Sequence, residues 1–302
     1  MSTRRFCDWR IWALLGALAI AGCSHEVEIG PLANASEAGA IRQKLVSAKP
    51  AKNASAEIGA EKTAEAKKFD GWATLKGRFV VDGAAPPELP IRPTKDQEVC
   101  GAHPLFNESI VVGKDKGLAN VVLYVRTPKV PINDEYKKTA ADKIELNNHN
   151  CRFQPHVLGI RVGQTLEVKN SDPVAHNTKI SGESLQFNQL IPVGTSLTLP
   201  IDSAESQPAG VACSIHDWMS GRLLIRPDPY FAITDDSGRF EIRDLPAGEL
   251  EFQAWQEAIG GLGLNQPDLK WDSKGRFSVT LHNGEVKDLK DIPVPAALFQ
   301  GR

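Results

Sequence analysis

A period-two alternation of apolar and polar residues is the feature that most constrains the fold of this chain. In residues 156–172, "HVLGIRVGQTLEVKNSD", the apolar residues Leu158, Ile160 and Val162 alternate with Arg or Gly, and the alternation continues to Val168. Successive side chains of a β-strand point to opposite faces of the sheet, so this pattern is typical of strands with one buried face.

Similar short segments recur from Trp72 onward, separated by Gly, Pro, Asn and Asp, which favour turns. They are "RFVVDG", "SIVVG", "NVVLYVR", "SLTLPI" and "GRLLIRP". A polar, Lys-rich stretch at residues 133–143 interrupts the series, and no long amphipathic helix does. The pattern predicts an all-β protein built from β-sandwiches.

The C-terminal segment, residues 229–302, has the same rhythm with stronger turn signals. A turn at Asp235–Gly238 and another at Asn283–Gly284 each predict a β-hairpin. The sequence "DSGRFEIRDLPAGE" in this segment resembles the carboxypeptidase-regulatory-like, transthyretin-like β-sandwich, and that resemblance implies a non-catalytic module. Residues 75–83, "LKGRFVVDG", are a candidate further strand for its sheet.

The N-terminus has the features of an export signal. Arginines precede an apolar run at residues 11–20, which is too short to span a bilayer as a helix. The run ends in "IAGC", which resembles the lipobox of bacterial lipoproteins, and this implies a signal peptide at residues 1–23 and an acylated Cys23. Ser24 then favours the outer membrane in a Gram-negative envelope. A plain export signal with an incidental cysteine is the alternative.

Residues 24–70 differ in composition from the rest. Ala, Lys, Glu and Ser dominate the part before residue 69, and it contains no aromatic residue. Such a segment has too little apolar surface to fold alone, so we expect a flexible tether.

Charge and motifs exclude several function classes. The formal net charge is -2, and no basic stripe is interleaved with aromatic residues, so we expect no nucleic-acid partner. The sequence has no phosphate-binding G-x-x-x-x-G-K-[ST], no G-x-S-x-G and no H-E-x-x-H.

One short loop concentrates possible metal ligands. In "VACSIHDWMSG", Cys213, His216 and Met219 follow at intervals of three, between a strand that ends at Cys213 and another at Arg222–Arg226. His176 follows an upstream strand. A Cys, two His and a weak axial Met form the ligand set of a blue-copper site. The alternative is a buried Cys, a loop His and a core Met with no common role.

Residues 144–226 resemble the cupredoxins. The C-x-x-H-x-x-M spacing is similar to that of amicyanin, and the His-Asn at 176–177 is similar to that of the plastocyanin group. The resemblance implies a Greek-key β-sandwich, taken here as a domain at residues 71–228. It also implies that one copper ion is held by His176, Cys213, His216 and Met219.

The same resemblance implies that Asn177 forms a hydrogen bond across to Ser214 and holds the ligand loop. Two positions depart from the family pattern: Asp217 stands where many members have Pro, and Trp218 is large for a residue beside the axial Met. The whole chain resembles bacterial exported proteins often labelled methylamine-utilisation proteins, a label that does not establish methylamine as a substrate.

Two cysteines remain if Cys213 binds copper and the N-terminal cysteines belong to the signal. An oxidising compartment favours a disulfide between Cys100 and Cys151. Two free thiols are one alternative. A second metal site is another, because candidate ligands lie nearby in sequence: His103, His149 and His156. His156 alone is better explained as a structural residue.

Two function classes compete. In the first, the protein is a lipid-anchored, periplasmic or cell-envelope carrier of single electrons. The ring edge of His216 then lies near the surface as the exit route, and the partner is a cytochrome or a copper oxidase. In the second, a cupredoxin domain stores or senses copper and the C-terminal module binds a glycan or a protein. A copper enzyme is disfavoured because the chain lacks an H-x-H pair.

Overall fold

The structure, a computed structural model, describes residues 69–301. The predicted signal peptide, Cys23 and nearly all of the predicted tether lie outside the described residues. Within 69–301 almost all regular structure is β, so the all-β prediction is confirmed. No helix in this range is long and apolar enough to cross a bilayer.

The strands follow one another along the chain with short connections. They are β1 (Trp72–Asp82), β2 (Pro90–Ile91), β3 (Leu105–Phe106), β4 (Val122–Val125), β5 (Lys143–His149), β6 (Arg152–Gln154), β7 (Val157–Arg161), β8 (Thr165–Asn170), β9 (His176–Ser181), β10 (Gln186–Ile191), β11 (Ser196–Pro200), β12 (Ala209–Ala212), β13 (Ser220–Arg226), β14 (Phe231–Ile233), β15 (Arg239–Pro246), β16 (Gly248–Gln256), β17 (Gly260–Gly261), β18 (Asn265–Gln266), β19 (Leu269–Lys270), β20 (Arg276–Leu281) and β21 (Val286–Pro295). The described helices are one α-helix, α1 (Gln97–Cys100), and two 3-10 helices, η1 (Asp134–Lys137) and η2 (Ala296–Phe299).

Strands β5 to β13 form a sandwich that we call the site sandwich. One sheet has the order β10-β9-β12-β13-β7 and the other β11-β8-β5-β6. β7 runs parallel to β13 and β5 parallel to β8, while the remaining pairs are antiparallel. The alternation seen in the sequence is realised here, because Leu166 and Val168 of β8 are fully buried and Lys169 is exposed.

A second sandwich, the flanking sandwich, combines strands from both ends of the described chain. β1 lies between β15 and β21, and the facing sheet contains β14, β4, β16, β17 and β20. The candidate strand at residues 75–83 is therefore part of this sandwich, as β1. β1 and β4 lie within the predicted 71–228 range, yet they pair with strands after residue 229. The site sandwich is thus inserted in the sequence between strands of the flanking sandwich.

The sandwiches pack against each other through β4. Leu123 and Val125 point into the flanking core, whereas Val122 and Tyr124 join an interface cluster with Leu224 of β13. A strand buried on both faces needs a continuous apolar run, which is what "VVLYV" supplies.

Both predicted hairpins are wrong in the same way. The turn at Asp235–Gly238 leads from β14, which pairs with β4, to β15, which pairs with β1. The Asn283–Gly284 turn leads from β20 to β21, and these strands pair with β16 and β1. Asn283 Oδ1 instead accepts the backbone N–H of Trp72 at 3.2 Å. Tight-turn residues reverse the chain equally well between the two sheets of a sandwich. Residues 109–113, "SIVVG", form only an isolated bridge from Val112 to Leu118.

Residues 90–106, which we call the cap, lie over one end of the site sandwich. They comprise β2, α1 and β3, and their Cys100 and Leu105 are buried in the core of that sandwich. Cys100 forms a disulfide bond with Cys151, which anchors the cap. The alternatives of two free thiols or of a second metal site on these sulfurs do not match the structure.

A charged cluster spans the two sandwiches. His156 Nε2 lies 2.6 Å from Glu257 Oε2, and Arg222 Nη2 lies 3.1 Å from Glu257 Oε1. The side chains of His156 and Glu257 are 5% and 8% exposed. Burial raises the pKa of Glu257, but the hydrogen bond and charge of His156 and the charge of Arg222 outweigh it and lower that pKa. His156 is therefore structural, as expected.

We predict that Glu257→Gln destabilises the protein by about 2 kcal/mol at neutral pH, because it removes hydrogen bonds between a buried carboxylate and charged partners. The folded-state pKa is lowered, so this contribution is present above the unfolded value of about 4.3 and is lost as the pH falls through the folded value. Denaturant unfolding at several pH values measures it. The control is Glu88→Gln, an exposed position. A loss at neutral pH equal to that of the control contradicts the prediction.

Candidate metal centre

The ligand loop is a tight connection between neighbouring antiparallel strands. β12 ends at Ala212 and β13 begins at Ser220, as the sequence predicts to within a residue or two. The Cys213 N–H donates to the Met219 carbonyl at 3.2 Å, and the Met219 N–H donates to the His216 carbonyl at 3.0 Å. These bonds fold the loop back on itself and fix the backbone of all three candidate ligands.

Three donor atoms of the predicted set converge in the core. His176, the first residue of β9, is brought beside the ligand loop because β9 pairs with β12. One ligand atom each from His176, Cys213 and His216 lies within 4.8 Å of the others, and all three residues are buried. The two Nδ1 atoms are 3.0 Å apart, and Cys213 Sγ is 3.8 Å from His216 Nδ1.

Each of the two imidazoles has a carboxylate on its far side. His176 Nε2 is 2.8 Å from Asp172 Oδ2, and His216 Nε2 is 2.7 Å from Asp96 Oδ2. An ionised carboxylate only accepts hydrogen bonds, so each Nε2 carries the proton. In a neutral ring the Nδ1 is then an acceptor with a free lone pair, and both Nδ1 atoms face the centre.

The donor set fits a bound metal ion. When both rings are neutral, two imidazole lone pairs and the cysteine sulfur face one another, which is unfavourable in a buried site unless a proton or a metal ion is shared. A proton can bridge one pair of these atoms, whereas a metal ion contacts all three. Bonds from a metal to N and S are about 2.0–2.3 Å long, compatible with separations of 3.0 and 3.8 Å.

The surroundings of Cys213 favour its thiolate. Burial raises the pKa of the thiol, but hydrogen bonding with His176 and the backbone N–H groups of Asn177, His216 and Ile215 outweighs burial and lowers the pKa to about 6. The Asn177 and His216 N–H groups each lie 3.4 Å from Sγ. The thiolate is the form of cysteine that binds metals, so the site is prepared for an ion.

Asp172 and His176 stabilise each other's charged forms. Burial raises the pKa of Asp172, but hydrogen bonds from His176 and from the N–H groups of Cys151 and Asn150 outweigh it and lower the pKa. Burial lowers the pKa of His176, but hydrogen bonding with Asp172 and Cys213 outweighs it and raises the pKa. Asp172 thereby links the disulfide loop to the His176 imidazole.

The predicted hydrogen bond between Asn177 and Ser214 is present. Asn177 Oδ1 accepts the Ser214 N–H at 3.0 Å. Asn177 Nδ2 donates to Asn188 Oδ1 at 2.7 Å and to the Gln189 carbonyl at 3.2 Å, both on the neighbouring β10. The side chain thus ties the ligand loop to β10.

Met219 and Trp218 are neighbours in the ligand loop, and both pack against the core of the site sandwich. Met219 is buried in the same core cluster as Cys213, and its role as axial ligand stays a prediction. Trp218, the unusual neighbour, packs its ring 5.0 Å from that of His216 and donates its Nε1–H to the Cys151 carbonyl at 3.2 Å. It connects the loop to the disulfide.

The expected exposure of the His216 ring edge is wrong. The His216 side chain is 0% exposed, because the cap places Asp96 directly over Nε2. Neither carboxylate is among the site residues that the sequence predicts. Asp172 lies four residues before His176, so its proximity was a usable signal. Asp96 is 120 residues from His216, and no local pattern connects them.

No protein-family model matches the sequence, and no curated protein matches it. Solved structures show partial similarity. A copper-containing nitrite reductase from Thermus scotoductus SA-01 is 21% identical with a TM-score of 0.26, over 28% of this chain and 22% of that chain. A purple cupredoxin from Nitrosopumilus maritimus is 24% identical with a TM-score of 0.24, over 28% of this chain and 98% of that chain. A reduced Cu(I) amicyanin mutant is 15% identical with a TM-score of 0.26, over 34% of this chain and 97% of that chain.

We predict that the Cys213 thiol of the metal-free protein ionises with a pKa of about 6 instead of 9.0. A pH titration of the ultraviolet thiolate absorption, with Cys213→Ser as the blank, measures it. His176→Gln removes the hydrogen bond that the protonated imidazole donates to the thiolate, and this loss shifts the midpoint upward. A wild-type midpoint near that of an ordinary thiol contradicts the prediction.

Proposed function

We propose that this protein is a type 1 copper protein that carries single electrons in the cell envelope. The buried convergence of His176 Nδ1, Cys213 Sγ and His216 Nδ1 carries the proposal. A thiolate with two imidazoles suits copper, and the loop spacing that adds Met219 resembles that of the cupredoxins.

Copper bound by these residues supplies a centre that accepts and returns one electron. The protein keeps the donor atoms in place in both oxidation states. β9, β12 and β13 are hydrogen-bonded neighbours in one sheet, and the Asn177–Ser214 bond links β9 to the ligand loop. A site held in this way changes little when an electron arrives, so the reorganisation energy is small.

The envelope location and the partner belong to the same proposal. Residues 1–23 resemble a lipoprotein signal with acylation at Cys23, which favours a membrane-anchored protein. A cytochrome or a copper oxidase then exchanges electrons with it. Because the His216 ring is covered, such a partner contacts the cap or the ligand loop and not the imidazole itself.

One observation favours a second candidate, a copper store or sensor. All three donor residues are buried and the cap covers the outer imidazole. A store holds copper without rapid electron exchange. Stopped-flow oxidation and reduction by small inorganic reagents separates the two functions, because a carrier cycles quickly with its copper retained.

We predict an intense visible absorption band, from thiolate-to-copper charge transfer, in the Cu(II)-loaded full-length protein. Cys213→Ser abolishes the band because it removes the sulfur donor, while Ser214→Ala, which keeps the backbone N–H bonded to Asn177, retains it. Optical and electron-paramagnetic-resonance spectra of the three proteins test this. A colourless wild-type protein refutes the type 1 site.

A separate prediction concerns Met219. The oxygen of Gln is a harder donor than a thioether, so Met219→Gln favours Cu(II) over Cu(I) and lowers the reduction potential. A tenfold change in that preference corresponds to about 59 mV. Voltammetry against wild type measures the shift. An unchanged potential removes Met219 from the axial position.

A further inference from the structure

The cap presents a single carboxylate to the metal centre. Asp96 stands immediately before α1 with φ 47° and ψ 43°, in the left-handed region that Asp and Asn adopt more readily than most residues. Its carbonyl accepts the N–H groups of Val99 and Cys100 at 3.0 and 2.8 Å. Cys100 in turn is bonded to Cys151. The position of Asp96 is therefore fixed by the backbone and by a covalent link to the site sandwich.

The Asp96 side chain ends on the outer nitrogen of His216. The Oδ2 to Nε2 distance is 2.7 Å, which is short and typical of a charge-assisted hydrogen bond. The imidazole is 0% exposed and the Asp96 side chain 43% exposed. Solvent therefore reaches the Asp96 side chain but not the His216 ring to which it is hydrogen-bonded.

Asp172, a buried residue, is hydrogen-bonded to Nε2 of His176 in the same way that Asp96 is to Nε2 of His216. Its contacts include the N–H groups of Asn150 and Cys151 as well as the imidazole, so its removal disturbs the fold. Asp96 has no other side-chain partner among residues 69–301 in the hydrogen-bond network. It is the carboxylate whose effect on the centre can be measured separately.

We propose that Asp96 is a positioning residue that holds His216 as the Nε2–H tautomer and, through its charge, favours Cu(II) over Cu(I). The inference rests on the proposed copper function. A carboxylate on the far nitrogen fixes the ring, leaves Nδ1 free to bind and raises its basicity. The stronger donor and the added negative charge both stabilise the more highly charged ion.

The size of the effect follows from the exposure of Asp96. Loss of an outer carboxylate typically weakens metal binding by about 10–100-fold. Solvent screens a carboxylate that is 43% exposed, so the lower end applies. The charge of Asp96 acts most strongly on the more highly charged ion, so we expect the loss to fall mainly on Cu(II). The preference for Cu(II) then falls about tenfold, which raises the potential by about 59 mV.

The variants separate charge, hydrogen bond and backbone. Asp96→Asn keeps the left-handed backbone and a hydrogen-bonding group but removes the charge. Asp96→Gly removes the side chain and tolerates the same backbone. Glu98→Gln is the matched control, because Glu98 is an exposed carboxylate on α1 with no contact to His216 among the described residues. Voltammetry on the full-length, copper-loaded proteins compares them.

Both Asp96 variants are expected to raise the potential, and Glu98→Gln to leave it near wild type. Equal shifts in the variants and the control overturn the inference and leave the copper centre standing. If wild type shows no thiolate-to-copper band, the copper function fails instead.

A copper-independent measurement decides the positioning role in either case. Nuclear magnetic resonance of histidine-labelled, metal-free protein reports which His216 nitrogen holds the proton. Wild type is expected to hold it on Nε2, and Asp96→Gly to lose that preference. A proton on Nδ1 in wild type, or a preference unchanged by Asp96→Gly, overturns the inference.

Discussion

Three electron-rich atoms meet in the buried core of the site sandwich, and the arrangement around them follows from that constraint. When both imidazoles are neutral, the donor atoms of His176, Cys213 and His216 are unfavourable neighbours until they share a proton or a metal ion. Asp172 and Asp96 accept hydrogen bonds from the Nε2 atoms of the two imidazoles. The lone pairs of both Nδ1 atoms therefore face the same point. Backbone N–H groups also stabilise the Cys213 thiolate, which is the form of cysteine that binds metals.

The rest of the molecule holds this arrangement in place. Pairing of β9 with β12 brings the donor from one strand beside the loop that follows the other, and the loop is short enough to be closed by its own backbone hydrogen bonds. The disulfide between Cys100 and Cys151 connects the cap to the same end of the sandwich. The flanking sandwich packs against β7 and β13 through the apolar contacts of β4 and is also joined to the site sandwich by the charged cluster around Glu257. Rigidity of this kind suits a centre whose charge changes by one unit while its ligands stay fixed.

Local sequence patterns predict the strands and the candidate metal ligands. They do not predict the cap that covers His216. Alternation predicts β8 because burial of one sheet face determines it residue by residue. The three-residue spacing from Cys213 to His216 predicts convergence because a single loop presents both.

The Asn283–Gly284 turn shows the limit of local patterns, since turn chemistry reverses the chain but does not select the sheet that the next strand joins. Asp96 shows the same limit at a separation of 120 residues, where only the tertiary fold creates the contact. The burial of His216 follows from that contact, so the sequence of the ligand loop alone does not predict it.

The most direct test of the central claim is X-ray absorption at the copper edge of full-length protein loaded with stoichiometric copper, in both oxidation states. We predict two imidazole nitrogens and one thiolate sulfur around the ion, with bond lengths that change little between Cu(II) and Cu(I). A copper environment of nitrogen and oxygen without sulfur, or a ligand set that differs between the two states, would contradict it.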